Sequence, residues 1–207
     1  MPNLYPAFER QEVVVHSPRH VRSFAELSDA EIAAVGGAWR ERARTEPGGY
    51  LLALVNEGRF AGASRAHSHS QLVWLRETPP AVASETGAVE AVLGEYELAE
   101  DDGLALAVHP VGRVPYELVI APREPDGLAF SDRRLGAALR LLREAARRLR
   151  ALEGPLPWNA WLHDGPHWHL EVLPRLTQLA GLELGAGIYV NVVPPEEAAA
   201  RLRGVAS

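Results

Sequence analysis

Residues 56–75 read Asn56-Glu57-Gly58-Arg59-Phe60-Ala61-Gly62-Ala63-Ser64-Arg65-Ala66-His67-Ser68-His69-Ser70-Gln71-Leu72-Val73-Trp74-Leu75. The apolar run over residues 51–55 ahead of it predicts a strand, and Asn56-Glu57-Gly58 is a turn signal. A second strand is predicted over residues 67–75. Side chains alternate faces along a strand, so His67, His69 and Gln71 are expected on one side. Two glycines and Ser64 precede them. Glycine lets backbone approach an anion closely, and free N–H groups can line it.

The same order recurs later. Residues 158–162 and 167–173 predict two more strands, the second carrying His167-Trp168-His169. Glu12-Val13-Val14-Val15-His16 parallels Glu117-Leu118-Val119-Ile120-Ala121 at an offset of 105, and the two His-x-His pairs lie 100 apart. A helix is predicted after Ser28, with Glu31 completing a capping box and Leu27 and Ile32 a hydrophobic staple. The longest helix is predicted to start at Ser131-Asp132, with Leu135, Leu139, Leu142, Ala146 and Leu149 as its apolar stripe. Arg140, Arg143, Arg147 and Arg150 fall largely off that stripe and read as a solvated face rather than a phosphate site. The tail predicts a turn at residues 185–187, a strand over 188–193 and a short helix after Pro194-Pro195. A tandem duplication accounts for the recurrence. The expected fold is α+β: two histidine-triad-like units, residues 1–80 and 81–207, sharing mainly antiparallel sheet with helices on one side.

Composition narrows the chemistry. The 207 residues include no cysteine, so thiol nucleophiles, disulfides and thiolate zinc sites are excluded within this chain. All 21 basic residues are arginine, which removes Schiff-base and lysyl-nucleotidyl chemistry. The net charge of −6 argues against a nucleic-acid partner. No run of about 18 apolar residues predicts a membrane span, and the first residues do not read as a signal peptide, so a cytoplasmic setting is expected.

Three readings of the His pair are open. As metal ligands, alternate strand residues can share one ion, yet Leu72, Val73 and Trp74 stand where a cupin-type site wants Glu. As structural groups, they would simply be hydrogen-bonded. As a nucleophile, a neutral imidazole attacks phosphorus and its phosphoramidate passes the group on. A pair in phase beside a polar glycine loop favours the third.

The sequence His67-Ser68-His69-Ser70-Gln71-Leu72-Val73 resembles the transferase branch of the histidine-triad superfamily, in which Gln replaces the third His. Residues 2–8 (PNLYPAF), 16–20 (HSPRH), 24–28 (FAELS), 56–64 (NEGRFAGAS) and 181–203 (GLELGAGIYVNVVPPEEAAARLR) resemble the galactose-1-phosphate uridylyltransferase family. That resemblance implies a ping-pong nucleotidyltransferase. His69 would attack the α-phosphorus of a nucleotide sugar, and a hexose 1-phosphate would discharge the nucleotidyl-histidine. Gln71 would hold a non-bridging oxygen, Ser64 and Asn56 the phosphates, and Asn3 the nucleoside. It also implies a homodimer in which residues 181–189 help complete the sugar site.

The family's metal sites are incompletely matched. The zinc site would use His20 and His67 with two upstream cysteines, which this chain lacks. No cofactor is therefore expected, with zinc possible only if an upstream segment is missing. Met1, the only methionine, directly precedes the matching Pro2-Asn3, which raises an internal start. A second metal site would use Glu85 and His163, but Glu171 and Leu173 stand where its other histidines would fall. His167 and His169 then read as a degenerate second active site. Rival functions remain: a phosphorylase or adenylyltransferase acting on ADP-sugars or dinucleoside polyphosphates through AMP-histidine, and a nucleotide-binding module without turnover. A hydrolase is disfavoured because Gln71 cannot relay a proton to water attack.

Overall fold

The computed structural model describes all residues except 46–47, 85–92, 125–126 and 206–207. Its strands are β1 (Arg10–Val15), β2 (Tyr50–Glu57), β3 (His69–Leu75), β4 (Glu97–Asp101), β5 (Leu104–Val108), β6 (Leu118–Pro122), β7 (Trp158–His163) and β8 (His169–Pro174). The helices are α1 (Asp29–Ala43), α2 (Pro80–Ala83), α3 (Leu135–Glu153), α4 (Gly181–Ala186) and α5 (Pro195–Gly204). All eight strands form one sheet in the order β1-β3-β2-β7-β8-β6-β5-β4, and every described pairing is antiparallel.

The order β1-β3-β2 is mirrored by β6-β8-β7, and β2 joins β7 at the centre. Gln71 lies opposite Leu54 and Glu171 opposite Trp161, while Leu54 and Trp161 face each other. The expected α+β duplication is thus visible as an approximate two-fold arrangement about that central pair. One register differs from the sequence alignment. Gln71 pairs with Val13 on β1, and Glu171 with Val119 on β6, so the matching offset is one residue more than the 105 read from sequence. A one-residue slip in a strand exchanges its faces, which the similarity of two apolar runs cannot detect.

The helices α1, α3 and α5 pack on one face of the sheet. Ser28 caps α1 and forms the reciprocal capping box with Glu31. The α3 stripe of Leu135, Leu139, Leu142 and Leu149 is fully buried, each leucine contributing about 2 kcal/mol. Asp132 receives the Arg134 N–H just ahead of α3, later than the predicted start. The arginine row is partly solvated, with Arg147 and Arg150 exposed, but each of its members is engaged. Arg140 pairs with Asp101, Arg143 with Asp29, Arg150 with Glu26, and Arg147 donates to the Ala25 carbonyl. These ties fasten α3 to the loops around it.

Two predictions fail. β4 was not anticipated, because Glu-Leu-Ala-Glu-Asp lacks a strand's apolar alternation and forms by pairing with β5. Residues 188–193 form no strand: Ile188, Tyr189, Val190 and Val192 are exposed and no described strand pairs with them. Among the described residues, no helix is long and apolar enough to cross a membrane.

Candidate active site

Ser70 is fully buried and accepts a hydrogen bond from Trp39 Nε1 on α1 (2.9 Å). That contact points Ser70 into the helix-covered core. His69 and Gln71, its neighbours, must therefore face the opposite, uncovered side. There they line a cavity of about 430 Å³ with Asn3, Tyr5, Ser64 and His67. The N-terminal residues form its other wall, held by Val13 N–H to the Met1 carbonyl (2.8 Å) and Asn3 N–H to the Gln11 carbonyl (2.9 Å).

The geometry sets the tautomer of His69. Its Nδ1 lies 2.8 Å from the His67 carbonyl oxygen. A carbonyl only accepts, so Nδ1 carries the proton and neutral His69 keeps its lone pair on Nε2. His67 is not on the strand as expected but just before it. Its Nε2 donates to the Ser17 carbonyl (3.0 Å), so one residue ties the loop down and orients His69 through its backbone.

Gln71 is oriented by a residue that sequence reasoning missed. Gln11 Nε2 donates to Gln71 Oε1 (2.5 Å), and Gln11 Oε1 accepts from Ala7 N–H (2.9 Å). With its oxygen engaged, Gln71 turns its two N–H donors to other partners, the role a phosphoryl oxygen needs. Asn56 is fixed similarly from across the molecular centre. Asn159 Nδ2 on β7 donates to Asn56 Oδ1 (2.7 Å) and to the Ala61 carbonyl (2.8 Å). Asn56 thus keeps its N–H₂ as the free end. No local signal marks Gln11 or Asn159, because both act through strand pairing.

The connecting loop depends on two glycines. Gly58 has φ +85°, and a Cβ there would sit 3.0 Å from Pro157. Gly62 has φ +89° and closes a short 3₁₀ turn over Arg59–Ala61. Ser64 follows exposed, on the rim of the cavity. Nearby, His16 is buried, its Nδ1 2.8 Å from Ser68 Oγ and its Nε2 without a partner among the described residues. Burial, with the neighbouring His69 and His67, pushes its pKa down to about 3.

The metal candidates divide. His20 is exposed with its ring 5.9 Å from that of His67, whose Nε2 is already engaged, and no cysteine completes the set. These residues do not fit a zinc site. Glu85 lies outside the described residues. His163, His169 and Glu171 come within 4.8 Å of one another, which the sequence comparison did not anticipate. Glu171 stands where a histidine is expected, and strand alternation puts His169 on the same face as Glu171, so His169 takes a place in the cluster. Arg113 pairs with both Glu171 and Glu117, so this cluster already holds a cation of its own. His169, the charge of Arg113 and His163 hold Glu171 down to about pKa 2 against the opposing effect of burial.

An imidazole whose Nε2 has no partner among the described residues, neutral amide donors and a glycine loop lie together on the open face of a doubled antiparallel sheet, an arrangement suited to binding a phosphate. Comparison with known proteins agrees. Residues 6–80 match the family model described as galactose-1-phosphate uridyl transferase, N-terminal domain. The chain is 28% identical to ADP-glucose phosphorylase of Arabidopsis thaliana over 96% of its length, spanning 65% of that relative. It is 27% identical to galactose-1-phosphate uridylyltransferase of Streptomyces lividans over 99% of its length and 72% of that protein. The crystal structure of a GALT-like protein from Arabidopsis thaliana superposes with a TM-score of 0.90 at 26% identity, covering 100% of this chain and 83% of that one. The likeness to that family's N-terminal domain is carried by residues 6–80, and the similarity to these relatives runs over nearly the whole chain.

Proposed function

We propose that the protein is a nucleotidyltransferase that moves a nucleoside monophosphate between a nucleotide sugar and a hexose 1-phosphate through a covalent nucleotidyl-His69. The carrying observation is the His69 Nδ1 contact to the His67 carbonyl, which leaves Nε2 as the nucleophile beside the cavity. His69 Nε2 forms the bond to the α-phosphorus, and the sugar 1-phosphate leaves with the electron pair of the broken P–O bond. Gln71, Asn56 and Ser64 offer neutral donors to the phosphoryl oxygens as charge builds there. Asn3 and the N-terminal wall take the nucleoside. The step uses the imidazole alone and is not routed through a metal.

The identity to an ADP-glucose phosphorylase favours a second reading, in which the adduct is AMP. One measurement separates the two. Intact-protein mass spectrometry after mixing with UDP-glucose or ADP-glucose should show a single adduct of UMP or of AMP. No adduct with either donor refutes covalent catalysis. The same reading includes a homodimer, supported by the exposed apolar side chains of Leu184, Ile188, Val190 and Val192.

A further inference from the structure

Arginines are tied down over most of this protein. Arg42 grips Glu12, Arg123 grips Glu97 and Arg140 grips Asp101. Arg22, Arg59 and Arg65 differ: each is exposed, and its guanidinium makes no hydrogen bond or ion pair among the described residues. All three line a single cleft of about 820 Å³. It shares Ser64 and Arg65 with the His69 cavity, and a small recess between them is lined by Arg22 and Arg65 from one and His67 and His69 from the other.

Two carboxylates also line the cleft, but neither answers these arginines. Glu26 is paired with Arg150 (3.1 Å). Glu57 accepts from Ser23 Oγ and Phe24 N–H, both at 2.7 Å, and burial raises its pKa. Three uncompensated guanidiniums in a chain of net charge −6 create a local positive field. Guanidinium forks match phosphate oxygens in geometry and charge.

We infer that Arg22, Arg59 and Arg65 form the acceptor subsite, which takes a phosphomonoester dianion, either inorganic phosphate or a sugar 1-phosphate. The inference rests on the nucleotidyl-His69 reading. An acceptor oxygen bonds to the α-phosphorus, the N–P bond to His69 breaks, and its electron pair returns to Nε2. Inorganic phosphate yields a nucleoside diphosphate; a sugar 1-phosphate yields a nucleotide sugar. The apolar N-terminal cavity and the basic cleft thus hold the two ends of the product, with His69 between them.

The test is calorimetric titration of inorganic phosphate, glucose 1-phosphate and neutral glucose into the full chain and its Arg22→Gln/Arg59→Gln variant. Binding of the phosphorylated ligands should weaken about tenfold in the variant, as expected for losing charge-assisted hydrogen bonds, while glucose binds neither protein. The thermal midpoint, followed by circular dichroism, should hold because both arginines are exposed. Tighter binding of glucose 1-phosphate than of inorganic phosphate identifies the sugar phosphate as acceptor; the reverse order identifies phosphorolysis. Equal phosphate affinity in the two proteins, or none in the unsubstituted one, overturns the subsite. Phosphate binding that depends on these arginines in a protein that never forms an adduct would instead refute the His69 reading alone.

Discussion

The two His-x-His strands occupy matching places in one sheet yet differ in what surrounds them. Eleven residues, 58–68, connect β2 to β3, whereas five, 164–168, connect β7 to β8. His69 and His169 share the same anchor: Nδ1 lies 2.8 Å from the His67 carbonyl in one and 3.0 Å from the His167 carbonyl in the other. They diverge at the residue two further on. Gln71 is neutral, held by Gln11, and half-buried beside an open cavity. Glu171 is buried and ionised, with His169 Nε2 3.5 Å from it and Arg113 paired against it. A neutral donor at that place leaves the site open to an anion. A carboxylate there demands a counter-charge, and Arg113 supplies one from within the fold. On the proposed reading, a backbone-oriented imidazole alone does not make a site for chemistry at phosphorus; the neighbouring group and loop decide.

The comparison breaks most sharply at the histidines. His69→Ala should reduce nucleotide transfer by about a thousandfold or more and abolish the adduct. His169→Ala should still form it, though with a lower thermal midpoint. Adduct on the His169 side, read by peptide mapping, would reverse the assignment of the two halves. The rival reading of a binding module without turnover predicts no adduct in either protein.

Gln71→Glu makes the first half resemble the second without its arginine. The new carboxylate faces the transferred phosphate and confronts Gln71's partner, the N–H₂ of Gln11. Transfer should fall about a hundredfold, the cost of losing a transition-state donor. A variant with wild-type kcat would show that Gln71 does not touch the reacting group.

A smaller effect concerns His16, which has no histidine counterpart in the second half, where Ala121 or Pro122 at the end of β6 takes the matching place. Its pKa is depressed in the fold, so between pH 6.5 and about 3 the unfolded chain binds the extra proton and the folded one does not. Stability should then rise with pH across that window and fall on acidification by up to about 1.4 kcal/mol per unit. His16→Phe should flatten that slope in urea melts run at several pH values. An unchanged slope assigns the acid sensitivity to other groups.

Much of this was legible from local pattern. The His69-x-Gln71 alternation, the glycine loop, the Ser28–Glu31 capping box and the α3 stripe each use a short-range rule and fold as that rule requires, while His67 falls just before the strand. The tertiary parts were not. Gln11 reaches Gln71 across a strand pair, Asn159 reaches Asn56 across the sheet centre, and Arg113 reaches Glu171 from a loop. Contacts of 58 to 103 residues' separation leave no periodic trace in sequence. Residues 188–193 show the converse: strand-like composition forms no strand where no neighbouring edge receives it.

The Asn56–Asn159 pair ties the fate of the two repeats together. Although β7 contributes no group to the proposed bond-making, it props up the loop that does. A change at Asn159 would be felt at His69's doorstep, so one half of the sheet serves as scaffolding for the loop of the other.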